Sequence, residues 1–366
     1  MVALQRMQIC FYYDNKGFWR IDSWLVEKQG KKMNIGLPSS KLRLSVLSLF
    51  FVLSSGCGES DSSNSDNTTA AEGLNFTNFL PESIVGDVAQ VDCTLTNGTV
   101  TTCYQFTTTG NPSDHDVGPF CPETIYDGEE AGGKWLENGS LVDITGEYIT
   151  TLPEVYNDPL WVLYDDATGD VSRVTGENCV AAAQLNPPEE FWFTCIDCSI
   201  EDFGGVVEQN FTIPVVPVQR ETIAELGNDF PGVALNGVLL SFPADIDGIV
   251  ATYNIAAIDD CGGHVNNAES YHYHGAAGCP YEVAQSDGHG PLIGYVMDGY
   301  GLHSMVDEDD TEPSDLDECR GHTDDERGYH YHATSPSENS FIGCYHGEVV
   351  EVENAGRPPG GGPPAP

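Results

Sequence analysis

Two stretches decide how this chain folds. Ile258-Asp259-Asp260-Cys261-Gly262-Gly263-His264 runs on to Tyr271-His272-Tyr273-His274, and Leu316-Asp317-Glu318-Cys319-Arg320-Gly321-His322 runs on to Tyr329-His330-Tyr331-His332. Every shared residue is offset by the same 58 positions. Each copy therefore carries an acidic pair, a cysteine, a Gly-His and, ten residues after the cysteine, the start of an alternating Tyr/His tetrapeptide. Nine of the ten histidines lie between His264 and His346. Imidazole is not a generic filler of cores or surfaces, so that concentration calls for chemistry.

Tyrosine and histidine in strict alternation suit a β-strand. Successive side chains of a strand point to opposite faces, so His272 and His274 share one face and Tyr271 and Tyr273 the other; His330 and His332 separate from Tyr329 and Tyr331 in the same way. Two imidazoles two residues apart stand roughly 6.5–7 Å apart at the backbone, a spacing from which both rings can converge on one ion. His264 and His322, each after a glycine, are expected to return on a loop as third ligands. The unit is then His-x7-His-x-His, three nitrogen donors for a borderline metal. Two plainer readings stand beside this one: a hydrogen-bonded histidine pair on a surface, or a motif duplicated because it determines the fold. A duplication predicts equivalent elements about a pseudo-twofold axis, with the six histidines lining two sites or one shared cleft.

Other side chains can join such a site. His289, His303 and His346 are additional candidate ligands, and Asp259 and Asp317 can orient imidazoles as acceptors or simply face water. Asp298-Gly299 reads as a turn. Cu(I) would want accessible thiolates or a methionine cluster, and here only Met297 and Met305 are near, so Zn(II) or Cu(II) is the expected ion. The acidic run of residues 307–318 can be read as a separate Ca²⁺ site, but it lacks the EF-hand glycine placement and reads more simply as a solvated loop.

Taken together, Asn236-Gly237-Val238, Cys261-Gly262-Gly263-His264, Tyr271-His272-Tyr273-His274, Pro291-Leu292-Ile293-Gly294-Tyr295 with Asp298-Gly299, Leu316-Asp317-Glu318-Cys319, Tyr329-His330-Tyr331-His332 and Ile342-Gly343-Cys344 make residues 211–350 resemble the bacterial YHYH-domain family. Pro112-Ser113-Asp114-His115 is a weaker match upstream. The resemblance implies an exported protein and no particular reaction; the metal reading rests on the residues.

The ends point to export as well. Lys41-Leu42-Arg43 precedes an apolar run over residues 44–53, and Leu53-Ser54-Ser55-Gly56-Cys57 follows it, the layout of a lipoprotein-type signal with Cys57 as the lipidated residue. Ser54 stands where such signals usually have leucine. Met33 opens a signal of ordinary length, so residues 1–56 read as an upstream extension plus signal, and residues 57–73 as a polar tether. A β-rich region over residues 74–212, the YHYH domain over residues 213–354 and a Pro/Gly tail over residues 355–366 complete the expected organisation. The protein is expected at the cell envelope or surface, anchored to the membrane by lipid. The apolar run is too short to span a bilayer.

Without Cys10 and Cys57, ten cysteines remain, enough for five disulfides in an oxidising compartment. Cys93 and Cys103 flank the Asn97-Gly98 hairpin signal and are expected to bridge across it. Cys195-Ile196-Asp197-Cys198 has redox spacing, but the surrounding carboxylates raise thiol pKa, so a structural role is expected. The formal net charge is −43. Such a chain repels nucleic acid and anionic headgroups and attracts cations; adaptation to salt explains the charge as well.

The fold expected is mostly β, disulfide-stabilised, with an internally duplicated C-terminal β-rich domain. Strands are expected over residues 233–240 and 248–255, a hairpin around residues 166–169, and no long helix. Functionally, a three-histidine zinc site with an open position would activate water for hydrolysis, and Cu(II) would permit oxidation. The rival is a non-enzymatic adhesion or ligand-binding module, its tyrosines stacking on a sugar or peptide as yet unspecified. No Ser-His-Asp signature or phosphate loop offers another mechanism.

Overall fold

The computed structural model describes residues 8–13, 19–24 and 73–351, apart from residues 185 and 227–229. The signal, Cys57, most of the tether and the Pro/Gly tail lie outside the described residues. Strand outweighs helix, 31% to 13%, so the chain is mostly β. Near the start, Gln8–Tyr13 pairs antiparallel with Trp19–Trp24 in a unit of its own. Sequence reading found no period there, although aromatic and β-branched residues of this kind favour strands.

The second compact unit holds the described residues from 73 to 351. Its centre is an eight-stranded sheet. We label its strands β1 (Gly232–Ala234), β2 (Leu239–Leu240), β3 (Gly263–Asn266), β4 (Ser270–Tyr273), β5 (Leu292–Val296), β6 (Gly301–His303), β7 (Gly321–Asp324) and β8 (Gly328–His332). The spatial order is β3-β4-β2-β1-β5-β6-β8-β7. β1–β2 is an antiparallel hairpin, β2–β4 is parallel and β3–β4 is antiparallel; β5–β6, β6–β8 and β7–β8 follow the same sequence of pairings. The antiparallel β1–β5 pair joins the two series. The two tight turns agree atom for atom: Ala234 N donates to Val238 O at 2.9 Å and Val296 N to Tyr300 O at 2.9 Å.

The tyrosines of β4 and β8 enter the main core. Tyr271, Tyr273 and Tyr331 are fully buried and share an apolar cluster with Trp135, Ile149, Leu152 and Leu163. A three-stranded sheet, Ile84–Thr94, Val100–Thr108 and Gln209–Pro214, packs through Phe106, Phe211 and Ile213 against Val233 and Leu239. Its Asn97-Gly98 hairpin and the Cys93–Cys103 bridge are as expected.

Some local expectations need correction. Residues 233–240 are not one strand: they turn at Asn236-Gly237 into the β1–β2 hairpin. Residues 248–255 are no strand either. Asp245 accepts from Gly248 N and starts the short helix Ile246–Val250, which sets Ile246, Ile249 and Val250 against the core at helical spacing. The turn at residues 166–169 forms, but beyond it only Tyr164 and Val171 bridge, and Arg173–Val174 pairs in parallel with Cys195–Ile196. A ten-residue helix, Gly146–Val155, was missed. Its β-branched Ile149-Thr150-Thr151 and Pro153 mask the period, while Thr145 caps it and Ile149 and Leu152 are buried.

All ten remaining cysteines pair: Cys93–Cys103, Cys121–Cys195, Cys179–Cys198, Cys261–Cys279 and Cys319–Cys344. Cys195 and Cys198 thus go to different partners and make no redox couple. Five disulfides are consistent with an extracytoplasmic protein. Among the described residues no helix is long and apolar enough to cross a membrane.

Candidate metal centres

Each copy of the motif folds as one hairpin, β3–β4 or β7–β8. The histidine before the turn does not return on a loop, as the spacing alone suggested. It sits on the neighbouring strand: His264 lies directly opposite His272, and His322 opposite His330. Side chains directly opposite in an antiparallel pair are close neighbours on one face. The histidine two residues further on, His274 or His332, completes a triangle.

The glycine before that histidine has a reason of its own. A Cβ on Gly263 would meet the Tyr271 hydroxyl oxygen at 2.6 Å, and one on Gly321 the Tyr329 hydroxyl oxygen at 2.1 Å. The first tyrosine of each tetrapeptide lies across its glycine on the face away from the histidines.

Asp259 and Asp317 hold the Cys-Gly loops rather than the imidazoles. Oδ1 of Asp259 accepts from the amides of Cys261 and Gly263 at 3.0 and 3.1 Å and from the Tyr271 hydroxyl at 2.9 Å. Asp317 repeats this with the amides of Cys319 and Gly321 at 2.9 and 3.0 Å and the Tyr329 hydroxyl at 3.0 Å.

On the other face the imidazoles converge through Nε2. In the first cluster His274 Nε2 lies 3.1 Å from that of His272 and 3.2 Å from that of His264. In the second, His332 Nε2 is 3.2 Å from both His322 and His289, and His289 is 2.9 Å from His330. His264, His272 and His274 form one convergent group; His289, His322, His330 and His332 form the other. The motif spacing did not single out His289 above His303 and His346. It arrives from the loop before β5, far from both tetrapeptides in sequence.

His303 stands next to the second cluster, its ring centroid 4.6 Å from that of His289, with Nδ1 at 2.7 Å from Gly290 O. His346 is on the tyrosine side, stacked on Tyr329 at 3.6 Å, with Nδ1 3.8 Å from Asp317. His115 plays a comparable part in the first half, with Nε2 3.4 Å from the hydroxyls of both Tyr271 and Tyr273. Three carboxylates of the acidic run are engaged by the protein: Asp307 takes the Gly290 amide, Glu312 pairs with Arg320, and Asp315 accepts from His322.

The Nδ1 partners assign the tautomers. His272 and His274 face Ser270 O and Phe242 O at 3.0 and 2.9 Å; His330, His332 and His289 face Gly328 O, Ser304 O and Gly290 O at 2.9, 2.8 and 2.9 Å. A carbonyl only accepts, so each Nδ1 carries its proton and each Nε2 is a bare lone pair. Burial keeps four of the rings neutral: it pushes His272 and His332 down to about 4 and His264 and His330 down to about 3. His274 is also held well below its ordinary value, first by burial and then by His272 and His264. Converging lone pairs about 3 Å apart repel unless a cation lies between them. With Zn–N bonds of 2.0–2.1 Å, a tetrahedral site has N···N edges of about 3.3 Å, close to the spacings of both clusters. Either cluster can therefore hold a metal ion.

Residues 210–315 match the family model described as YHYH protein. Residues 210–315 are a YHYH domain. No curated protein and no solved structure matches it. The matched part of the YHYH domain contains the whole first cluster together with His289 and His303, and it ends before the second tetrapeptide.

Proposed function

We propose that this YHYH-domain protein is an exported binder of two transition-metal ions, zinc in the first instance. His264, His272 and His274 would hold one ion, and His289, His322, His330 and His332 the other. The observation that carries the proposal is the set of Nε2 lone pairs meeting at 2.9–3.2 Å while carbonyls take the Nδ1 protons. All-imidazole donor sets suit both Zn(II) and Cu(II), and zinc is the first ion to test. The disulfides remove the cysteines as ligands, and the net charge of −43 favours cation uptake.

The two hairpins are read here as an internal duplication. The palindromic strand order supports this reading, as do matching tyrosine, aspartate and turn contacts at constant sequence offsets. By the order of the strands the clusters are two sites and not one cleft: five strand spacings separate β4 from β8, roughly 24 Å. Lipid anchoring through Cys57 belongs to the same proposal and rests on the signal-like sequence alone.

The test is metal content of the purified protein by mass spectrometry, for the wild type and for His272→Ala with His330→Ala. About two equivalents of metal in the first and close to none in the second are expected. Equal, negligible metal in both would overturn the proposal and leave the adhesion or ligand-binding reading.

A further inference from the structure

The two clusters are not chemically equivalent. The second presents four imidazoles, enough to fill a four-coordinate site. The first presents three, and beside them opens a cavity of about 860 Å³ whose wall includes His264, His272 and His274. The difference goes with two positions of the repeat, Asn266 against Asp324 and Glu269 against Arg327. Arg327 in the second copy stands 58 residues after Glu269 in the first. Arg327 pairs with Asp324 and with Asp287, and Asp287 begins the Asp287-Gly288-His289 segment that delivers the fourth imidazole. Glu269 has neighbours of its own, its Oε2 accepting from Asn266 Nδ2 at 3.1 Å. It is 5% exposed, lines the cavity, and places Oε2 3.2 Å from His272 Nε2 without joining the convergent group.

We propose, building on the two-metal reading, that the first cluster is a ligand-exchange centre. The fourth coordination position of its metal faces the cavity and accepts an uncharged donor ligand, while the second cluster is a closed structural site. A three-histidine set with one open position is the arrangement in which bound metal takes exogenous ligands. The cavity specifies the class of ligand. Among the described residues its lining contains no Lys or Arg. The amides of Gln184, Asn186 and Asn267 line it with the carboxylates of Asp245 and Glu269. Beyond the metal's own charge such a lining offers an anion no positive partner, whereas neutral molecules with hydrogen-bonding groups find several.

The experiment uses the intact protein loaded with Co²⁺, whose visible spectrum reports coordination, and titrates in imidazole as a neutral probe and azide as an anionic one. Imidazole is expected to change the spectrum of one of the two bound ions, and azide to bind roughly tenfold more weakly. The response should survive His330→Ala, which removes a ligand of the second cluster, and vanish in His272→Ala. Asn267→Trp, at the rim and touching no ligand, should keep both ions and weaken imidazole roughly tenfold by filling the cavity. Two bound ions with no imidazole response would overturn the open site and leave metal binding standing. A response that persists in His272→Ala, or that Asn267→Trp leaves unchanged, would place exchange elsewhere and overturn the assignment. No bound Co²⁺ in any form would overturn both readings together.

Discussion

The two faces of the Tyr-His-Tyr-His strands make a controlled comparison, because the same four residues supply both. On the tyrosine face every hydroxyl has a protein partner. Tyr271 donates to Asp259 at 2.9 Å, Tyr329 to Asp317 at 3.0 Å and Tyr331 to Asp298 at 2.5 Å, while Tyr273 accepts from Asn236 Nδ2 at 2.8 Å. On the histidine face the Nδ1 atoms are satisfied and the Nε2 atoms meet chiefly one another. Among the described residues, the amide donor close to them, Asn266 Nδ2, is 3.4 Å from His272 Nε2 and closer, at 3.1 Å, to Glu269. One face is complete as protein; the other becomes complete with a cation. Buried polar groups are nearly always partnered, so the difference locates where the fold depends on something beyond the chain.

Metal removal is the strongest way to break that comparison. A ligand present at a thousandfold its Kd stabilises the native state by about 4 kcal/mol per site. Chelation should therefore lower Tm by on the order of 10 °C, with zinc restoring it in calorimetry. An unchanged Tm after complete stripping would mean that the histidine face is as self-sufficient as the tyrosine face.

Acid should separate the faces next. For the metal-free protein, His272 and His332 titrate at about 4 in the fold, and His264 and His330 at about 3, against an ordinary value of 6.5. The unfolded chain binds more protons across that interval. This contribution is therefore complete above pH 6.5 and is lost as pH falls toward 4. Asp298 behaves in the opposite sense. Burial pushes it up to about 6 from 3.8, so its contribution is complete below pH 3.8 and is lost as pH rises to 6. Burial raises Asp259 as well; several histidines outweigh these two aspartates, so metal-free Tm should climb from pH 4.5 to pH 7. A flat profile would contradict the neutral, buried state assigned to the rings.

Tyr331→Phe probes the completed face. It leaves the buried Asp298 carboxylate with the amides of Gly347 and Tyr300 but without its hydroxyl donor. A loss of about 1–3 kcal/mol is expected, read by denaturant titration, with two equivalents of metal retained. Loss of metal along with stability would show that the two faces are not energetically separate.

How much of this was legible in the chain follows from which contacts are local. Alternation within the tetrapeptides placed His272 with His274 and Tyr271 with Tyr273, because strand geometry requires it. The Cys93–Cys103 bridge was readable from two cysteines around one turn. The position of His264 opposite His272 was not, since a spacing of eight residues fits a loop as well as a hairpin. His289 reaches the second cluster across the sheet, and only the tertiary fold decides that it, and neither His303 nor His346, completes the set. Glu269 and Arg327 were missed although they occupy the same place in the two copies. The two motifs draw attention to what they share, and here the informative residues are those in which they differ. Residues 248–255 failed for another reason: Ile249, Val250 and Ile255 favour strands locally, while the Asp245 cap and packing of a three-residue apolar face make a helix.

The smallest expected effect is the most local. Arg327 lies at the margin of the histidine face, and its pairing with Asp287 holds the loop that brings in His289. Arg327→Gln keeps a polar side chain of similar reach but gives up the ion pair, so His289 should be held less firmly. Outer partners that orient ligands typically contribute about tenfold or more in affinity. Competitive titration with a zinc indicator should accordingly show one of two sites weakened roughly tenfold, with the other unchanged. The tyrosine network should be untouched, because Tyr329 and Tyr331 are held by Asp317 and Asp298 on the opposite face. Weakening of both sites together would mean that Arg327 supports the whole sheet, whereas a single weakened site would tie the fourth ligand of the second cluster to this one ion pair.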